Sequence, residues 1–169
     1  MTLIDAVRIL LFPSLMAFAA SSDLLTMTIS NRISIALIAG FLVLAAASGM
    51  SIENAGMHAL AGAVVLVLAF FCYARGWMGG GDAKLASATA LWFGFEFLYD
   101  YILWASLFGG VLTLLIIRFR QLPLPQSLSR HAWIARLHEQ HAGVPYGIAL
   151  AASALTIYPY TEWMKAAGF

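Results

Sequence analysis

Two carboxylates mark where this chain could do chemistry. Asp82 closes the glycine run of Met78-Gly79-Gly80-Gly81-Asp82-Ala83-Lys84, and Asp23 follows the first long apolar stretch. An ionisable side chain at the edge of a membrane-length apolar segment is functional by default, because such a position is expensive for charge. Glycines before Asp82 let the backbone reach conformations closed to other residues and let a peptide approach closely. Two carboxyl groups that hold one proton between them can hydrolyse a peptide bond. The ionised member takes a proton from water, while the neutral member hydrogen-bonds to the scissile carbonyl and then protonates it. The sequence does not say which is base and which is acid. Each residue alone also reads more plainly, Asp82 as the N-cap of a helix and Asp23 as a polar helix end; their shared placement is what favours chemistry.

The elements that position them follow from composition. The chain of 169 residues is 62% hydrophobic and 10% charged, with a mean hydropathy of +0.87, far from soluble averages. A bilayer crossing takes about 17 to 25 residues, and apolar stretches of that order run over 3–20, 33–49, 57–73, 83–99, 101–117 and 144–158. They predict an all-α polytopic membrane protein with six transmembrane helices, a single domain over 1–169 with no separate soluble domain. The runs are continuous rather than alternating, which excludes a β-barrel. Arg8, the apolar run from Ile9 and Ala17-Phe18-Ala19 also look like a secretory leader with its cleavage site; its removal would leave five spans and strand Asp23 near a new terminus. Pro13 is tolerable in a membrane helix and can kink it.

Charge sets the orientation. With both termini outside, Arg32, Arg75, Lys84, Arg118, Arg120, Arg130 and Arg136 fall in the inner loops 21–32, 74–81 and 118–143, against Arg8 and Lys165 outside. This positive-inside bias puts Asp23 and Asp82 at one cytoplasmic boundary of an inner membrane, with Asp5, Glu53, Glu96, Asp100 and Glu162 on the other side. The aromatics Trp92, Phe93, Phe95, Phe97, Tyr99 and Tyr101, with Tyr158, Tyr160 and Trp163, read as the outer interfacial belt. A net charge of +1 gives no reason to expect nucleic acid.

Three segments carry a family resemblance. Gly79-Gly80-Gly81-Asp82 has the Gly-x-Gly-Asp form of the intramembrane aspartyl proteases, and its setting resembles the type IV prepilin peptidases. The stretch from Ser22-Asp23-Leu24 to Ser30-Asn31-Arg32 is similar to their first-aspartate segment, 77–85 to the second, and Gly143-Val144-Pro145-Tyr146-Gly147 to the Pro-Tyr-Gly segment that opens the last helix. The chain is most similar to the small peptidases of tight-adherence (Flp/Tad) pili. The resemblance implies Asp23 and Asp82 as the catalytic pair and Gly79, Gly80 and Gly81 as the active-site loop. It also implies a pilin-like precursor as partner, its short basic leader cut at the cytoplasmic face; Glu139 is a candidate to receive that leader. Lys84, Pro145, Tyr146 and Gly147 are candidates to shape the cleft. Two departures matter: Ser30 stands where the family often has Pro, and Cys72 is alone, so the paired Cys-x-x-Cys zinc site of the larger methylating members cannot form. Cleavage without methylation, with no cofactor and no metal, is the expectation.

Other features take plainer readings. Ser127 to His141 suggests an amphipathic helix with Leu128, Trp133, Ile134 and Leu137 toward lipid and Arg130 and Arg136 toward head groups. His131, His138 and His141 belong to that hydrated interface rather than to a metal. Lys84 reads as a snorkelling lysine, Cys72 as a packing residue, and Gly62, Gly109 and Gly110 as sites of close helix approach. A small transporter that uses the same acids for protons or cations, and a non-catalytic scaffold, are the competing classes; oligomeric state is not legible. A topology reporter fused after Arg120 is expected to read cytoplasmic, and a periplasmic signal there would overturn the orientation.

Overall fold

Arg8, Phe12, Met16, Ala19 and Asp23 are buried along one face of the first helix, at the spacing of three and four that a single helical face requires. The computed structural model describes residues 2–168, among which there is no strand. Helix α1 (Leu3–Thr26) is followed by α2 (Asn31–Ala47), α3 (Ile52–Ala74), α4 (Gly80–Phe93) and α5 (Leu98–Gln121). Two short helices, α6 (Gln126–Ser129) and α7 (Ala132–His138), precede α8 (Tyr146–Ile157), which runs into a 3-10 turn at Tyr158–Tyr160 and then α9 (Glu162–Lys165). Helix α1 continues through Ala17-Phe18-Ala19 and past Pro13 without interruption.

Three helices, α1, α3 and α5, are long and apolar enough to cross a membrane, and α2 is a shorter apolar helix. The expected fourth and sixth spans are helical but short, at 14 and 12 residues. That is about 21 and 18 Å of helix, against a hydrocarbon core of roughly 30 Å. Helix α4 ends because Gly94 takes φ 60, a left-handed stop that glycine adopts without a Cβ penalty. Both short helices are interior. Helices α2, α3, α5 and α8 pack on α4, while α1, α4 and α5 pack on α8.

The aromatic belt divides. Phe95, Tyr99 and Tyr160 are exposed, but Trp92, Phe93, Tyr101, Tyr158 and Trp163 are core residues, each at most 5% exposed. Phe12 stacks on Tyr158 with centroids 4.4 Å apart and lies 5.0 Å from Trp92. Three of the buried polar edges find a backbone carbonyl: Trp92 Nε1 donates to Leu37 O at 3.0 Å, Trp163 Nε1 to Trp92 O at 2.9 Å, and the Tyr158 hydroxyl to Arg8 O at 2.7 Å. The Tyr101 hydroxyl is buried without a partner among the described residues. Amphipathic aromatics serve a core as well as an interface when such acceptors are present.

The long loop also departs from expectation. In place of one amphipathic helix from Ser127 there are two short ones, and Leu137 is buried. Trp133, Ile134 and Leu137 turn toward Leu115, Ile116 and Phe119 of α5 rather than wholly to lipid. Arg136 donates from Nη1 to Leu25 O at 2.9 Å instead of facing only head groups. Of the three glycines read as sites of helix approach, Gly62 packs against Leu91 and the Ser87 carbonyl, whereas Gly110 meets nothing.

Trp92→Ala is expected to lower the unfolding free energy by about 3–5 kcal/mol, and Tyr99→Ala by less than about 0.5 kcal/mol, in denaturant unfolding of the detergent-solubilised protein. Equal small effects would return Trp92 to the membrane interface.

Candidate active site

Asp23 occupies the last turn of α1 and is 5% exposed. Its Oδ2 accepts a hydrogen bond from the Gly147 N–H at 2.7 Å. The Asp23 carbonyl accepts from the Met27 N–H at 2.8 Å, and Met27, with φ 55, closes the helix in the left-handed region. The chain then turns through Thr28 and Ile29 to Ser30, whose Oγ accepts from the Arg32 N–H at 3.3 Å and caps α2. Ser30 keeps φ −65, an angle proline shares. The departure from the family's proline therefore costs the turn nothing and adds a cap.

Asp82 lies in the first turn of α4 and is partly buried. Its expected role as N-cap falls to Gly79, and the helix begins at Gly80, earlier than the apolar run suggests. The three glycines are thus not a free loop: Gly79 caps the helix and Gly80 and Gly81 form its first turn. None has positive φ, which belongs instead to Gly76 at φ 74. Their use is close approach. A Cβ on Gly79 would lie 2.9 Å from Asp82 Oδ2, on Gly80 3.3 Å from the Tyr73 ring, and on Gly81 3.1 Å from Ile29 Cβ.

Both carboxylates line the same two cavities. One, of about 300 Å³, is bounded by Asp23, Met27, Ile29, the three glycines and Asp82. The other, of about 750 Å³, adds Cys72, Trp77, Gly143 and Tyr146. Cys72 therefore faces a cavity as well as its helix neighbours. Lys84 is exposed and donates from Nζ to Asn31 Oδ1 at 2.9 Å, tying α4 to the start of α2. Pro145 is buried and caps α8, Tyr146 enters the larger cavity, and Gly147 reaches Asp23. The two carboxyl groups thus share cavities whose lining also includes Met27 and the glycine-rich start of α4.

A sequence profile of the type IV leader peptidase family matches residues 10–114, a stretch that includes Asp23 and Asp82. The chain belongs to the type IV leader peptidase family. It is also 35% identical over 88 residues to a prepilin leader peptidase/N-methyltransferase of Dickeya chrysanthemi, an overlap covering 50% of this chain and 31% of that protein. The chain thus spans about a third of the length of the curated relative it matches. No solved structure matches it. Membership and the apolar helices make this a membrane protein.

Several residues around these cavities carry no sequence signal of their own. Ile29 is an unremarkable apolar residue, yet it touches the Gly81 and Gly147 positions together. Arg120 counts in the sequence only as charge, yet its Nε donates to Leu137 O at 2.8 Å and its Nη2 to Ala142 O at 2.9 Å and Gly143 O at 2.8 Å. Only the Pro-Tyr-Gly resemblance pointed to Gly147; its contact with Asp23 needed the fold. A Cβ on Gly147 would stand 2.8 Å from Asp23 Oδ2 and 3.0 Å from Asp23 Cβ. Gly147→Ala is expected to cost about 1–3 kcal/mol by overpacking. Gly143→Ala, with open space around it, should change stability by less than about 0.5 kcal/mol. Unfolding in detergent distinguishes the two, and equal effects would show that the α1–α8 contact is loose.

Proposed function

We propose that this protein is a membrane-embedded aspartyl endopeptidase that removes the short leader of type IV pilin-like precursors, with Asp23 and Asp82 as its catalytic pair. The observation that carries the reading is the lining of one cavity by both carboxylates beside the glycine-rich start of α4. Family membership and the prepilin leader peptidase/N-methyltransferase relative support the substrate class.

In this reading the precursor's apolar helix lies in the bilayer, and the residues before it are held extended in the larger cavity. One aspartate accepts a proton from the attacking water as its oxygen bonds to the scissile carbonyl carbon. The other donates a proton to the carbonyl oxygen; the first then passes the proton it took to the amide nitrogen, the C–N bond breaks, and the carbonyl re-forms as the second aspartate takes back a hydroxyl proton. The Gly147 N–H fixes one oxygen of Asp23 and leaves the other for water.

The finer proposals rest on sequence. The whole of 1–169 acts as one transmembrane peptidase domain with six spans. Both termini lie outside the inner membrane and the aspartates at its cytoplasmic face, as the basic loops support. The precursors are of the Flp/Tad class. The leader is cut without N-methylation, since Cys72 is the single cysteine and cannot build a four-thiolate zinc site.

Asp23→Asn and Asp82→Asn are each expected to reduce processing of a co-expressed pilin-type precursor by at least about a hundredfold, while both variants still insert in the membrane. Size shift of the precursor on a gel reads the result. Full processing by either variant would refute the pairing, and proton-coupled uptake into vesicles that depends on the same acids would favour transport.

A further inference from the structure

We propose that Tyr146 is a substrate-contacting residue of the cleft and that Gly109, on α5, is the notch that positions it; the proposal rests on the peptidase reading. Tyr146 lines the larger cavity with both aspartates and is 37% exposed. It is therefore the aromatic surface that α8 offers to whatever enters. Trp77, 71% exposed, in the turn after α3, lines the same cavity. Two aromatic side chains in one cavity with a carboxylate pair suit an extended segment with apolar side chains, the form a precursor takes just before its membrane helix.

The ring is seated by α5. A Cβ on Gly109 would lie 2.5 Å from Tyr146 Cε1 and 3.1 Å from both Cζ and the hydroxyl oxygen. Only glycine lets the ring lie there. The clash falls on the far end of a side chain, so an added methyl group swings the ring off α5 and into the cavity instead of unseating the helix. The adjacent Gly110 has no atom within 4 Å of such a Cβ, although a substitution there changes helix propensity equally. The backbone on the other side of the ring is also held from α5, by Arg120 on the Ala142 and Gly143 carbonyls. The ring is thus the movable part of an otherwise fixed wall. Gly109 lies within the stretch matched by the family profile, and the ring it seats lies beyond it.

The test uses the purified full chain in detergent. The substrate is a synthetic precursor with a short basic leader, a cleavage segment and an apolar helix. Gly109→Ala is expected to lower kcat/KM about tenfold, mostly through KM, whereas Gly110→Ala stays within about twofold of wild type. In a Tyr146→Ala background the Gly109→Ala step should change kcat/KM by no more than about twofold, because its target is gone. A structural defect of α5 would persist in that background, and persistence overturns the proposal. So does an unchanged KM in Gly109→Ala. Maleimide labelling of Cys72, which shares the cavity, gives a readout free of activity: Gly109→Ala should slow it and Gly110→Ala should not. A wild-type chain that cleaves no precursor overturns the peptidase reading and this proposal together. Wild-type cleavage with identical Gly109→Ala and Gly110→Ala behaviour overturns this proposal alone.

Discussion

The hydrogen bond from the Gly147 N–H to Asp23 Oδ2 is the contact on which the open end of the bundle depends. It joins the last turn of α1 to the first turn of α8 and leaves no room for a side chain at residue 147. An unpartnered carboxylate at this depth would be costly, and an unpaired N–H at a helix start would add to the cost. Each satisfies the other. Ile29 fills the angle between this joint and the start of α4, since it touches the Gly81 and Gly147 positions. Asp23, Ile29 and the glycines of α4 are in this way one packed unit.

The opposite end is built differently. There the bundle closes on Phe12, Trp92, Tyr158 and Trp163, with ring contacts of 4.4 to 6.2 Å among them. The last carbonyls of a helix lack intrahelical partners, and at this end side chains from elsewhere supply them. Trp163 serves Trp92 O, and His58 shares a 2.8 Å hydrogen bond with Leu91 O, both at the C-terminus of α4. At the open end the arginines do the same work, Arg136 for Leu25 O at the end of α1 and Arg120 for Leu137 O at the end of α7. One end is thus an aromatic cluster tied to backbone carbonyls, and the other a hydrogen-bonded rim around the cavities that both carboxylates line.

The helical class and the two carboxylates were legible because both are local signals: long apolar runs, and charge where charge is expensive. Helix lengths were not. Hydropathy alone does not set where a helix stops, and in α4 and α8 the apolar surface is covered by other helices. For the same reason the sequence could not sort the belt from the core: Trp92 and Tyr99 differ only in whether a carbonyl and a neighbouring ring happen to lie beside them. Of the two uses read for the glycine run, conformational freedom and close approach, the structure shows the second, at ordinary φ. That distinction depends on Tyr73 and Ile29, which come from other elements. The partners of Arg120 and of Gly109, the latter read only as a site of helix approach, were not legible for a related reason, since they lie on a loop and a helix that no local pattern connects to α5.

The shortness of α4 and α8 has a consequence for the site. Each begins beside the shared cavities, where the N–H groups of its first turn, which have no partner within the helix, are available to side chains of other elements. Asp82 is in the first turn of α4, and Asp23 receives the second residue of α8. Two helix starts therefore converge, each on one carboxylate, around shared cavities. Glycine at both starts permits the close approach seen there, since a Cβ on Gly147 would stand 2.8 Å from Asp23 Oδ2 and one on Gly81 3.1 Å from Ile29 Cβ. Ile29 would also lie 2.7 Å from that Cβ on Gly147, so a side chain added at either helix start would press on the same residue.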